Sequence, residues 1–196
     1  MRTRLHFRGF TLIEMMTVVV ILAVLTTVAA FSYKRYIRRA RTLEGVSVLM
    51  DIKLKQETHF MTYSSYVTTG CTNGTSASGC VNATPQPKDD DFYPDIADPT
   101  LLPVGWGWGC SDAGINYHAA AFCQLGVTPG APETYFQYVT VGWAPGVPAP
   151  AATFIADPTR RWWFARARTY PDGTLATTQE LRLSSELVEV VEINTP

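Results

Sequence analysis

The chain has 196 residues, 46% of them hydrophobic and 17% charged, which suits a core of ordinary size and is too apolar for a disordered or collagen-like chain. Sixteen Lys and Arg against seventeen Asp and Glu leave a net charge of −1, which excludes a globally basic nucleic-acid binder. That average conceals an ordered asymmetry. Arg2, Arg4 and Arg8 come first, Lys34, Arg35, Arg38, Arg39 and Arg41 follow an apolar run, and from Thr42 onward sixteen acids face eight bases. The order is basic leader, apolar run, basic neck and acidic head.

In the twenty-two residues from Phe10 to Phe31 the only ionisable side chain is Glu14. As a helix this run spans roughly 33 Å, enough to cross a bilayer core. It reads as a membrane helix or as a signal peptide cut at the small residues Val28-Ala29-Ala30. Its length and the carboxylate of Glu14 argue against the signal peptide. Charge counting alone would put the neck in the cytoplasm, because three arginines precede the run and five basic residues follow it. Beyond the run, Val48, Leu49, Ile52, Gln56, His59, Phe60 and Tyr63 recur at spacings of three and four, and no proline occurs before Pro85. One helix over 10–61 is predicted, apolar all round in its first half and amphipathic in its second. Gly45 is tolerated there at about 1 kcal/mol relative to Ala.

Residues 64–132 are rich in Gly, Ser, Thr, Asn and Pro, show no sustained period, and read as loops. They hold Cys71, Cys80, Cys110 and Cys123, none in a CxxC pair, so a zinc site is disfavoured. In an oxidising compartment two disulfides are the default. Of three connectivities the local one, Cys71 with Cys80 and Cys110 with Cys123, closes the shortest loops. Four free thiols in a cytosolic protein are the alternative. Strand signals follow over 134–143, 151–156 and 161–170, then Pro171-Asp172-Gly173 marks a turn before the β-prone stretch 174–183, and 188–193 offers a closing strand. The expected fold is α+β, a long N-terminal helix packed on an antiparallel sheet with a disulfide-stapled loop region between them.

Gly9-Phe10-Thr11-Leu12-Ile13-Glu14 stands where the basic leader meets the apolar run. It resembles the processing signature of type IV prepilins and of the pseudopilins of type II secretion. The resemblance implies cleavage after Gly9, N-methylation of Phe10, and an assembly role for Glu14, the fifth residue of the product. It extends through Tyr33 and Tyr36 over roughly the first fifty residues. Physical chemistry points the same way: a carboxylate inside a membrane helix costs about 2.5–3.5 kcal/mol at the bilayer centre and is normally kept for a partner. The freed amine of Phe10 on a neighbouring subunit is that partner, so the pair sets axial register. Snorkelling of Glu14 to the interface is the simpler alternative. Processing places the leader in the cytoplasm and the head outside, where disulfides persist.

The organisation expected is therefore a leader over 1–9, a transmembrane and polymerisation helix over 10–31, a neck and amphipathic half over 32–63, loops over 64–132 and a sheet over 133–196. The implied partners are copies of itself and other pilins in a filament, the prepilin peptidase, an inner-membrane assembly platform and membrane lipid. The implied location is a single pass through the inner membrane before assembly, and a surface pilus or periplasmic pseudopilus after it. Type IVa pilins usually carry proline at the position of Phe31, and its absence predicts a straighter helix and leaves major pilin, minor pilin and pseudopilin open. The rival from another class is a periplasmic binding or enzymatic domain exported by a signal peptide cut near Ala30.

Weaker signals point elsewhere. Arg160, Trp162, Phe164, Arg166, Arg168 and Tyr170 share one strand parity, a pattern that can stack and neutralise nucleic acid, although core and cation–π roles and the acidic head argue against it. Asp89, Asp90, Asp91, Asp95 and Asp98 surround Phe92-Tyr93-Pro94 and could hold calcium, but their spacing is not that of an EF-hand and a solvated loop is the simpler reading; no other cofactor is implied. His59 and His118 lack partners at ligand spacing. Asn73 and Asn82 head glycosylation sequons. No GxSxG, SxxK or phosphate loop marks an enzyme.

Overall fold

A computed structural model describes residues 11–69, 92–94, 102–105, 117–127, 130–143, 154–155, 157, 159–171 and 178–195. The chain divides into two units, Met1–Ala40 and Arg41–Pro196. Helix α1 (Leu12–Tyr63) contributes to both. The remaining described elements are β1 (Val104–Gly105), α2 (Tyr117–Leu125), β2 (Glu133–Thr134), β3 (Gln137–Trp143), β4 (Trp162–Thr169), β5 (Thr178–Ser184) and β6 (Val191–Thr195). The fold is α+β.

In the first unit, α1 begins at a cap. The Thr11 hydroxyl accepts the N–H of Glu14 at 3.3 Å, and the Thr11 carbonyl accepts that of Met15. Every residue from 11 to 36 is exposed, Leu12 at 78%. The hydroxyls embedded in this apolar stretch bond back to their own helix: Thr17 to the Ile13 and Glu14 carbonyls, Thr26 to Leu22 and Ala23, and Thr27 to Val24. Such back-bonding is what a helix needs where water is absent.

In the second unit, β3, β4, β5 and β6 form an antiparallel sheet in sequence order, while β1 and β2 pair separately. The strand signals over 161–170 and 174–183 correspond to β4 and β5, which pair antiparallel with Phe164 opposite Ser184 and Ala167 opposite Leu181. Alternation then sorts the strands into two faces. Tyr138, Trp163, Ala165, Ala167, Leu181 and Leu183 join Leu49 and Ile52 of α1 in the main core. Val139, Val141, Trp162 and Phe164 turn the other way and bury Phe92. Small Ala165 and Ala167 leave room for the helix, and Gly45 completes the fit: a Cβ there would lie 2.7 Å from Leu181 Cδ1 and 3.1 Å from the Phe136 ring. The glycine that looked like a tolerated cost is what allows close approach.

The buried stripe of α1 is Gly45, Leu49, Ile52 and Gln56. Tyr63 does not belong to it, being 68% exposed, because the helix is ending. Ser64 adopts φ 53° and donates its N–H to the Phe60 carbonyl at 2.8 Å, the αL way of closing a helix.

Three further differences separate structure from expectation. Tyr117–Leu125 is helical within a stretch that read as loop, and it ends in a Schellman motif: Gly126 at φ 74° donates to the Cys123 carbonyl and Val127 to that of Phe122. Its Ala119, Ala121, Phe122 and Leu125 are buried, so packing supplied what a nine-residue helix cannot supply alone. Residues 154 and 155 of the strand expected over 151–156 are not in a strand, and 151–153 and 156 lie outside the described residues. The closing strand starts at Val191 rather than at Val188, because the Leu187 and Val188 carbonyls are taken by Lys53 Nζ at 2.9 and 3.3 Å.

Candidate functional site

The sequence assigned assembly to the start of the apolar helix. Gly9 and Phe10 lie outside the described residues; Glu14 is exposed in the first turn of α1. Thr11-Leu12-Ile13-Glu14 has the spacing of a capping box, and its Thr11 half is formed. A carboxylate at this position also faces the positive end of the helix dipole. Thus the residues read for processing also encode a helix start, a signal the assembly reading passed over. After Glu14 the exposed surface is made of Met15, Met16, Val18, Val19, Val20, Ile21 and their successors, an uninterrupted apolar cylinder. Its mean hydropathy reaches 2.4 over the best 18 residues, long and apolar enough to cross a membrane. The basic residues Lys34, Arg35, Arg38 and Arg39 that follow are exposed.

Arg41 behaves differently, its guanidinium lying 4.1 Å from the centre of the Tyr135 ring. Glu44, one turn on, accepts the Thr134 hydroxyl at 2.7 Å and the Tyr135 N–H at 3.2 Å. Deeper in the second unit, Gln56 acts as an inserted peptide group. Its Oε1 accepts the Val67 N–H at 2.9 Å, and its Nε2 donates to the Val67 carbonyl at 2.7 Å and to Thr140 Oγ1 at 2.9 Å. Segment 66–69 then covers the outer edge of β3: Thr69 N–H and hydroxyl bond the Thr140 carbonyl, and Thr68 bridges both backbone groups of Gly142. Tyr93 exchanges both backbone hydrogen bonds with Tyr138 on the same edge. An edge so covered is withdrawn from pairing with another chain.

The arginine-aromatic face of β4 is occupied by the fold itself. Trp162 and Phe164 are buried. Arg166 and Arg182 sit directly opposite each other and both bond the Glu180 carboxylate, Arg182 Nε at 2.6 Å. Burial raises the Glu180 pKa, and the hydrogen bonds and charges of the two arginines more than reverse that, leaving it below the usual range. The Arg168 guanidinium lies 4.1 Å from the Phe92 ring centre and 5.6 Å from that of Tyr170. Arg160 is exposed beside Asp157, whose carboxylate is held low by hydrogen bonds from Thr159.

A cleft of about 350 Å³ is lined by Glu57, Tyr66, Asp157, Arg160, Arg161, Ser185 and Glu186. Glu57 already accepts the Trp163 indole N–H at 2.7 Å, and Glu186 accepts the Asp157 N–H at 3.1 Å. The Tyr66 hydroxyl titrates above its usual value because it is partly buried and faces the Glu57 charge. Among the described residues no group of three His, Cys, Asp or Glu side chains could hold a metal. The acidic cluster at Asp89, Asp90, Asp91, Asp95 and Asp98 lies outside the described residues, as do Cys71, Cys80, Cys110, Asn73 and Asn82. Cys123, on α2, is disulfide-bonded. His59 Nδ1 meets the Ser65 carbonyl at 2.7 Å, and His118 stacks on Tyr93 with ring centres 5.6 Å apart, so both have structural roles.

Comparison with protein families places the prokaryotic N-terminal methylation motif at residues 4–30. The chain carries a prepilin signature. The signature is of the type IV pilin and pseudopilin kind and covers the leader and most of the apolar run, so the head is read from its own geometry. Comparisons with curated proteins and with solved structures gave no match. Together, the prepilin signature and the apolar helix fit membrane anchoring before assembly.

Proposed function

We propose that this chain is a prepilin, the structural subunit of a pilus filament. Its leader is cut after Gly9 in the cytoplasm, the Phe10 amine is methylated, and the product waits as a single-pass inner-membrane protein with its head in the periplasm. Subunits then pack through the apolar helices, and Glu14 of one neutralises the Phe10 amine of the next. Its work is mechanical, the filament being built from copies of itself with other pilins on an inner-membrane platform.

One observation carries this reading: the methylation motif at residues 4–30 coincides with a helix whose apolar surface is exposed all round. A water-soluble domain rarely leaves so large an apolar area uncovered, whereas a bilayer or a bundle of like helices covers it. A pseudopilin of type II secretion uses the same signature, and the unbroken α1, with phenylalanine at position 31, supports that second reading. We assign the cysteines to two disulfides with the local pairing, and keep calcium at the aspartate-rich segment as a secondary expectation.

Mass spectrometry of the purified protein's N-terminus tests the assignment. Methylated Phe10 is expected; a start at Phe31 or Ser32 would instead identify an exported periplasmic domain. Glu14→Ala should insert into the membrane normally and fail to polymerise. Sheared surface fibres that contain the subunit would distinguish a pilus from a periplasmic pseudopilus.

A further inference from the structure

Lys34, Arg35, Arg38 and Arg39 are all exposed on α1. At about 100° per residue they fan over about 140° of the helix surface, and Tyr33 and Tyr36 fall on the opposite side. They begin three residues past Phe31 and end eight past it, roughly 5–12 Å along the axis from the end of the apolar run. Lys34 and Arg35 thus start within the headgroup layer, about 5–8 Å thick on each side of a bilayer core, and Arg38 and Arg39 start just outside it, from where their long side chains reach back into it. Arg41 differs from these four in being only partly exposed, with its guanidinium against the Tyr135 ring.

This concentration of charge is costly for a chain whose neck must leave the cytoplasm. Five cations after the run against three before it bias insertion toward the wrong orientation. Charge placed against that bias calls for a use on the far side. We propose that Lys34, Arg35, Arg38 and Arg39 form a collar that binds the phosphates of acidic phospholipids in the leaflet facing the head, holding the stored subunit at a fixed depth. The inference rests on the membrane-anchored reading and extends it from anchoring to lipid choice. Each basic side chain near an anionic surface favours it about fivefold, and salt weakens the effect. The four cations on one helix segment therefore select acidic lipid over neutral lipid without any shaped pocket.

The test uses the full chain reconstituted in phosphatidylcholine vesicles containing spin-labelled phosphatidylglycerol or spin-labelled phosphatidylcholine, with the protein-immobilised lipid fraction measured by electron paramagnetic resonance. The expected result is an immobilised fraction favouring phosphatidylglycerol about fivefold at low salt. That preference should fall toward unity in 1 M NaCl and in the fourfold variant Lys34→Gln, Arg35→Gln, Arg38→Gln, Arg39→Gln, while Arg41→Gln retains it. A chain that inserts but shows no preference, or a fourfold variant that keeps it, overturns the proposal. A chain that does not insert overturns the membrane-anchored reading, and the collar with it. Loss of assembly in the fourfold variant with no lipid preference in the parent chain would give the collar to the acidic heads of neighbouring subunits.

Discussion

Leu22 and Leu49 occupy the same helix, the first 56% exposed and the second fully buried. Around Leu22 every side chain is apolar or a threonine bonded to its own backbone, so the helix has no inward face. Around Leu49 the helix has one narrow inward stripe, with Gly45, Ile52 and Gln56, set against a sheet. The difference teaches that one continuous secondary structure can answer to two solvents. The second half is stabilised by a partner within the chain; the first half leaves exposed an apolar surface of the kind that lipid or packed helices cover.

The sharpest way to break this contrast is to make the same change on both sides of it. Leu49→Ala should destabilise the head by about 3 kcal/mol, because it opens a cavity in a dry core, and lower its melting temperature by roughly 6–12 °C. Leu22→Ala should leave head unfolding unchanged. All five tryptophans lie in residues 106–163, so tryptophan fluorescence of the full chain in detergent reports head unfolding alone. An equal loss from both variants would mean that the apolar half supports the head.

Gln56→Leu comes next. It keeps the volume but strips the Val67 N–H and carbonyl of their buried partners, an expected loss of about 2–3 kcal/mol. Protection of the Val67 amide from hydrogen exchange should fall in the same variant. If only global stability drops and Val67 stays protected, Gln56 is packing rather than pairing.

How much of this was legible follows from how local each signal is. The prepilin signature is confined to a short run of consecutive positions, and the β4–β5 pair announces itself by strand signals on either side of Pro171-Asp172-Gly173, so both could be read directly. The Thr11 cap is equally local but is masked by the assembly role expected of Glu14. Helix α2 left a usable trace in Ala119-Ala120-Ala121 closed by Gly126, submerged in a glycine- and proline-rich neighbourhood. The cover of 66–69 over β3 joins residues some 70 positions apart, such as Thr69 to Thr140, and no period announces it. Likewise Arg166 and Arg168 could not be told from a binding surface until Glu180, Phe92 and Gln137 were placed around them.

Glu180 sharpens the contrast in charge rather than in apolar area, since the head pairs its partly buried arginines internally while the neck leaves Lys34, Arg35, Arg38 and Arg39 exposed. Glu180→Gln should cost about 2 kcal/mol, moderated by the residual solvent access of the three side chains. The sign with pH follows from its depressed folded-state pKa. The stabilisation is complete above the unfolded carboxylate's pKa and is lost as pH falls through the lower folded value. The parent head should therefore lose more stability than the variant on acidification below about pH 4.5, and parallel pH profiles would remove Glu180 from the account.

The smallest effect is expected at Gly45, where two terms of similar size oppose each other. Alanine gains about 1 kcal/mol of helix propensity. Against this, its Cβ would press on Leu181 Cδ1 at 2.7 Å and on the Phe136 ring at 3.1 Å, and relief means moving two fully buried side chains in a packed core at about 1–3 kcal/mol. Leu181 can turn its terminal methyl, but the Phe136 ring has less freedom, so the balance falls to a net loss of about 1 kcal/mol. Gly45→Ala should thus lower the head's melting temperature by roughly 2–4 °C while leaving membrane insertion of the first half unchanged. A rise in melting temperature would show that helix and sheet can separate by a few tenths of an ångström without loss, and that the glycine is not what fixes their approach.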